Sequence, residues 1–335
     1  MDVCRKQDSP MPVSPALSAT GAATASKLGL VLCGLSAAFY SGSSIIMRHA
    51  AALQIEPTIA VSIREAVTVA LVGPWLLYQL LRGRSVGLPA RAVGILIAVS
   101  AAAQIVGNQL HQWALGVVGL SIVVPSSFAA VLITGPLLGR FFLGEPVAAR
   151  SWAAVAMVIS AIVVLSSGAR SAEPLAMVAS GGLSGIVVAA VLGSALAGMT
   201  YATMTVAIRK NVSGDAPAAT VMLLVTGMGV ITVGPISWAR VGFEGWQALP
   251  AEAWFWLLAA GFLNFIGFVS LTVGLRKTPV VHANVLGAAQ VAIAALAGLL
   301  IFREPLTITL VIGVSLTICG ILLIGGKRQA SNAAA

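Results

Sequence analysis

Charge is what this sequence has least of. Only 9% of its residues are Asp, Glu, Lys or Arg, against about 25% in a soluble domain. With 59% of residues hydrophobic, no globular interior would hide so much apolar surface. Cysteine is nearly missing as well: Cys4 lies in an N-terminal tail and Cys33 and Cys319 lie inside apolar runs, which excludes a disulfide framework and a metal-ligand spacing. Neither GxxxxGK[ST] nor GxGxxG occurs in a suitable loop, so direct ATP drive is not expected, nor any cofactor or metal. The 10 acidic residues form no ring of the kind that lines cation channels. The net charge of +9 would suit nucleic acid, but the basic residues sit at the ends of apolar runs, without a basic stripe or interleaved aromatics.

What is present is a succession of apolar runs, each long enough to cross a roughly 30 Å hydrocarbon layer at about 1.5 Å per residue. The fold class expected is an all-α integral membrane protein. Breaks at Gly, Pro and charge clusters place ten transmembrane spans near 28–47, 57–81, 92–116, 118–139, 150–168, 183–208, 216–238, 252–275, 279–301 and 305–325. Residues 1–26, rich in Ser, Pro, Ala and Thr, read as an uncleaved, disordered tail, because no apolar core follows Arg5 and Lys6 until Leu28. With that tail inside, 14 of the 19 basic residues fall in inner segments; only Arg48, Arg170, Arg240 and Arg303 fall outside, and Arg64 lies within a span. The positive-inside bias then sets both termini in the cytoplasm. The preference for Arg over Lys, with abundant Ala, Gly and Val, points to a GC-rich bacterial source and hence the inner membrane.

A shift of about 160 positions lays the second half on the first. Tyr40 and Arg48 meet Tyr201 and Arg209, Gly73-Pro74 meets Gly234-Pro235, Gln104, Gly107 and Leu115 meet Asn264, Gly267 and Leu275, and Glu145-Pro146 meets Glu304-Pro305. The organisation expected is a first repeat over 27–168, a periplasmic linker over 169–182, a second repeat over 183–326 and a cytoplasmic tail over 327–335. Each repeat holds five spans, an odd number, so the second enters the bilayer upside down. Inverted repeats of this kind are a mark of carriers that work by alternating access.

The stretch from Trp113 to Pro146, WALGVVGLSIVVPSSFAAVLITGPLLGRFFLGEP, and its echo from Val273 to Pro305 resemble the EamA repeat of the drug/metabolite transporter superfamily. The resemblance spans about residues 28 to 325. It implies a ten-helix carrier of small metabolites or drugs, often an exporter, with a central cavity between its halves. It also matches Glu145 and Glu304 to the acidic residue after the fourth helix of each repeat, and Arg64 to an arginine of the second helix.

Several polar residues lie where lipid would not tolerate them. In span three, Ser100, Gln104, Gly107, Asn108, His111 and Gln112 share one arc of roughly 140° at 100° per residue, so they must face protein or a wet cavity. Arg64 and Glu65 lie about seven residues inside span two, roughly 10 Å deep, and buried charge in a membrane is a functional candidate by default. Tyr40 and Tyr201 occupy equivalent points of the first helix of each repeat, and Asn264, Asn284 and Gln290 are the second repeat's cavity candidates. Apart from Ser100 and Gly107, these residues make up the expected substrate site, with Glu65 and His111 as proton-coupling candidates. Glu145 and Glu304, each before a Pro at a helix start, read as structural. The expected partners are a small-molecule substrate and the lipid bilayer, in a monomer or homodimer. Two rivals carry less: an ion channel, and a protease in which Gly182-Leu183-Ser184-Gly185 would act with His282 as in rhomboid enzymes, a reading that leaves the repeat unexplained.

Overall fold

The computed structural model describes residues 26–84, 86–145, 147–168, 185–212, 218–301 and 308–325, and every regular element among them is helical. In chain order these are α1 (Lys27–Ala52), α2 (Pro57–Leu81), α3 (Ala90–Ala102), a π-helical turn (Ala103–Asn108) that continues into α4 (Gln109–Val118), α5 (Leu120–Leu143), α6 (Ala149–Gly168), α7 (Gly185–Val212), α8 (Ala218–Gln247), α9 (Ala251–Leu275), α10 (Val280–Gly287), α11 (Ala289–Leu300) and α12 (Ile308–Gly325). Eight helical rods are long and apolar enough to cross a membrane, counting α3 to α4 and α10 to α11 as one each. The remaining two, α6 and α12, carry the shorter apolar stretches Ala149–Ala161 and Val311–Gly320 and pack against each other. Large apolar side chains such as Leu81, Phe141, Leu192 and Leu300 stand on the outside of the bundle, a surface that a bilayer solvates and water does not.

Helix ends follow local chemistry. Ser26 caps α1 by accepting the Gly29 N–H at 3.0 Å. Glu56 caps α2, accepting from the N–H groups of Thr58 at 2.6 Å and Ile59 at 3.2 Å, with Pro57 in the first turn, where a missing N–H costs nothing. Gly119, at φ 76°, is the one residue separating α4 from α5. The spans expected at 216–238 and 279–301 differ in form from simple rods. The first runs on to Gln247 through a kink at Gly242, φ 65°, and the second is interrupted at Ala288.

The two halves pack in a pattern that survives exchanging them. Helix α1 lies along α9, and its counterpart α7 lies along the rod of α3, the π turn and α4, which is the counterpart of α9. Helix α2 meets α8 and α6 meets α12, each pair being equivalent positions of the two halves, while α5 on α7 is mirrored by α10 and α11 on α1. Small residues permit the closest approaches: a Cβ on Gly198 would run into the Ser127 carbonyl, so α5 and α7 touch backbone to backbone there. Residues 169–184 and 302–307 lie outside the described residues, and with them the expected linker, Glu304, and Ser184 of the protease pattern.

Near one end of the bundle a buried ion pair ties four helices together. Arg209, at the end of α7, donates from Nε to Glu145 Oε1 at 3.0 Å and from Nη1 to the Leu275 carbonyl at the end of α9. Glu145 Oε2 accepts the Val280 N–H at the start of α10, at 2.9 Å, so both carboxylate oxygens after α5 are engaged. The expected structural role of Glu145 takes this form, although the residue follows Gly144 and the end of α5 and does not open a helix.

Candidate substrate cavity

Between the halves lies a cavity of about 130 Å³ to which α1, α2, the π turn, α4, α5, α7, α8, α9 and α11 all contribute. Of the residues picked out in the sequence, Tyr40, Arg64, Glu65, Gln104, Asn108 and His111 line it from the first half. Tyr201, Asn264 and Gln290 line it from the second.

Two of the expected residues do not. Gln112 is buried and gives its side-chain amide to the Met47 carbonyl of α1 at 3.2 Å. At 100° per residue Gln112 stands at the far edge of the arc, about 100° round the helix from His111, and that edge meets α1 and not the cavity; Ser100, on the same arc, is also buried outside the lining. Asn284 is also buried away from the cavity, its amide nitrogen pressed where a Cβ of Gly135 would stand. The interruption at Ala288 separates the α10 turn carrying Asn284 from the α11 turn carrying Gln290.

In the lining of the cavity Arg64 and Glu65 form an ion pair, Nη2 to Oε1 at 2.8 Å and Nε to the same oxygen at 3.2 Å. Both donors therefore use one carboxylate oxygen. Glu65 Oε2 and Arg64 Nη1 make no hydrogen bond among the described residues, and neither is among the fully buried unpaired atoms. The pair is held by its surroundings: the Glu65 and Gln104 side chains fill the space that a Cβ on Gly229 of α8 would take, and Gln104 Nε2 donates to the Val225 carbonyl at 3.2 Å. Asn108 Nδ2 in turn donates to Gln104 Oε1 at 2.5 Å. Tyr40 and Tyr201 meet edge to face at 6.4 Å between centroids, 85° between planes, closing one wall from both halves.

The lining repeats the internal symmetry position by position. The roughly 160-residue shift carries Tyr40 onto Tyr201, Ser43 onto Met204, Arg64 onto Val225, Glu65 onto Thr226, Gln104 onto Asn264, Asn108 onto Phe268 and Val131 onto Gln290, and every one of these residues lines the cavity. The halves share positions but not polarity, since the charged pair has an apolar residue and a threonine as counterparts. Ser43, Ser44, Ser127, Thr200 and Thr226 also line the cavity and do not stand out in the sequence. The repeat register points to Thr226, as the partner of Glu65; the hydroxyls of the first half have no such signal.

Residues 188–326 match the model of the EamA-like transporter family. No curated protein matches the chain. Among solved structures 28 chains match, and one, described only as "Crystal structure of protein", is 18% identical, with 89% of this chain and 96% of that chain covered and a TM-score of 0.65, a likeness of fold. The match over residues 188–326 agrees with the resemblance to the drug/metabolite transporters read from the sequence, and the long apolar helices fit a multi-pass membrane protein.

Proposed function

We propose that this protein is a secondary transporter, not an enzyme, that moves a small polar metabolite by alternating access between two inverted five-helix repeats. The observation that carries this reading is the cavity lined by equivalent positions of both halves, with an ion pair inside it that leaves one carboxylate oxygen and one guanidinium nitrogen open. Exchanging the conformations of two equivalent halves would present such a site to each side of the membrane in turn. At about 130 Å³ the cavity is smaller than the roughly 300–1,000 Å³ of pockets for drug-sized ligands, which favours a metabolite over a drug. The open Nη1 of Arg64 suits an anionic group of the cargo and the open Oε2 of Glu65 a cationic one, so a zwitterion is the class that meets both. A proton on Glu65 would release Arg64 from its partner, which gives a way to couple transport to a proton gradient. In this reading all ten helices span the inner membrane, both termini are cytoplasmic, and the direction is export.

The test is flux. Metabolites that accumulate in cells lacking the gene identify the cargo, and the purified protein in proteoliposomes should then carry it with saturable, stereoselective kinetics. A non-saturating ion current in place of saturable flux would overturn the reading in favour of a channel.

A further inference from the structure

We infer that Ser127 fixes the tautomer of His111 so that its Nε2 is a hydrogen-bond acceptor in the cavity, and that the cargo presents an N–H or O–H donor to it. The part concerning the cargo rests on the transport reading above; the part concerning the ring does not.

The position of one proton decides the tautomer. Ser127 Oγ lies 2.9 Å from the Ser194 carbonyl of α7 and 3.3 Å from His111 Nδ1 of α4. A carbonyl only accepts, so the single hydroxyl proton of Ser127 points at Ser194. What the hydroxyl then offers His111 is a lone pair, and the contact is a hydrogen bond only if Nδ1 carries the proton. A neutral imidazole has one N–H. Its other nitrogen, Nε2, is therefore a bare acceptor.

The environment agrees with this assignment. His111 lines the cavity, and its Nε2 has no hydrogen bond among the described residues, yet it is not one of the buried unpaired nitrogens. It is open to the cavity. His49 Nε2 and His282 Nδ1, by contrast, are both buried without a partner. The backbone contact at Gly198 holds α7 against α5 and so keeps the Ser194 carbonyl within reach of Ser127. Free imidazole side chains favour the proton on Nε2, so the form found here is imposed by the chain around the ring.

Among its polar groups the cavity consequently offers two acceptors without a partner, His111 Nε2 and Glu65 Oε2, beside the cationic donor Arg64 Nη1. A cargo with a primary amine, amide or hydroxyl satisfies both acceptors; one whose donors are fully alkylated leaves His111 unpaired, which a buried polar site penalises.

The chain has only 3 histidines, which makes the assignment measurable. In ¹⁵N-histidine-labelled protein in lipid nanodiscs, with His111→Asn identifying the signal, neutral His111 is expected to carry its proton on Nδ1. Ser127→Ala should move that proton to Nε2 while the His49 and His282 signals stay in place, and Ser127→Thr, which keeps the hydroxyl, should leave His111 unchanged. An Nε2-protonated His111 in the wild-type protein overturns the inference by itself, even if Ser127→Ala fails to fold, and so does a His111 signal indifferent to Ser127→Ala. With a cargo in hand, flux should fall by up to about tenfold in Ser127→Ala and recover in Ser127→Thr; equal flux in all three would overturn the cargo's donor contact. Saturable flux with the wrong tautomer refutes this inference alone, whereas the right tautomer without saturable flux refutes the transport reading alone.

Discussion

Among the described residues two arginine–glutamate pairs are buried, and they are wired differently. Around Glu145 and Arg209 both carboxylate oxygens are used, one by the guanidinium and one by the Val280 N–H, and the arginine reaches on to the Leu275 carbonyl. Around Arg64 and Glu65 two donors crowd onto one oxygen, and the other oxygen is left open at a cavity. Desolvating a charge is costly, and a structural pair repays that cost only when its remaining hydrogen-bonding capacity is filled. The saturated pair meets that condition inside the protein. The open pair meets it only when something else arrives, and this contrast is the ground for proposing one pair as a brace and the other as a site.

The largest effect that tests this contrast is on stability. Glu145→Gln leaves Arg209 buried without a countercharge and should cost about 3–5 kcal/mol, read as a collapse of the unfolding midpoint in detergent micelles; a wild-type midpoint would show that the pair is no brace. Glu65→Gln should spare most of that stability, because the cavity gives Arg64 access to water, and instead abolish flux. Next in size, Gly198→Ala drives a methyl group into the Ser127 backbone and should cost about 1–3 kcal/mol. Gly227→Ala on α8, with nothing within 4 Å of the added atom, should be neutral or stabilise by up to about 1 kcal/mol; equal effects of the two would mean that α5 and α7 do not touch backbone to backbone. The smallest effect concerns two glutamines of one rod. Gln112→Leu loses only its bond to Met47, about 0.6 kcal/mol, and should leave flux unchanged, whereas Gln104→Leu removes the support beside Glu65 and should lower it.

Much of this was legible in the residues. Apolar runs of membrane length, broken at Gly, Pro and charge, place the helices, because in lipid every backbone group must be satisfied within its own segment. Arg64, Glu65, Gln104 and His111 stand out because polar groups at such depth need a partner or a cavity. Departures from ideal helix geometry were not legible. Nothing in the composition of 103–108 announces a π turn. Nothing marks the interruption at Ala288 that parts Asn284 from Gln290. The hydroxyl lining was hidden for another reason: serines and threonines in apolar helices usually bond to the carbonyl four residues back, as Thr226 does to Met222 at 2.9 Å, so their presence in a span says nothing about what they face. The repeat register carries Arg64 and Glu65 onto Val225 and Thr226 and so places an uncharged wall opposite them.

The most direct measurement is cargo flux in proteoliposomes containing equal amounts of folded wild-type and Glu65→Gln protein, with size-exclusion profiles to establish that both are intact. Saturable flux is expected in the first and none above the empty-vesicle rate in the second. Undiminished saturable flux through Glu65→Gln would contradict the proposal that the open ion pair lining the cavity is the transport site.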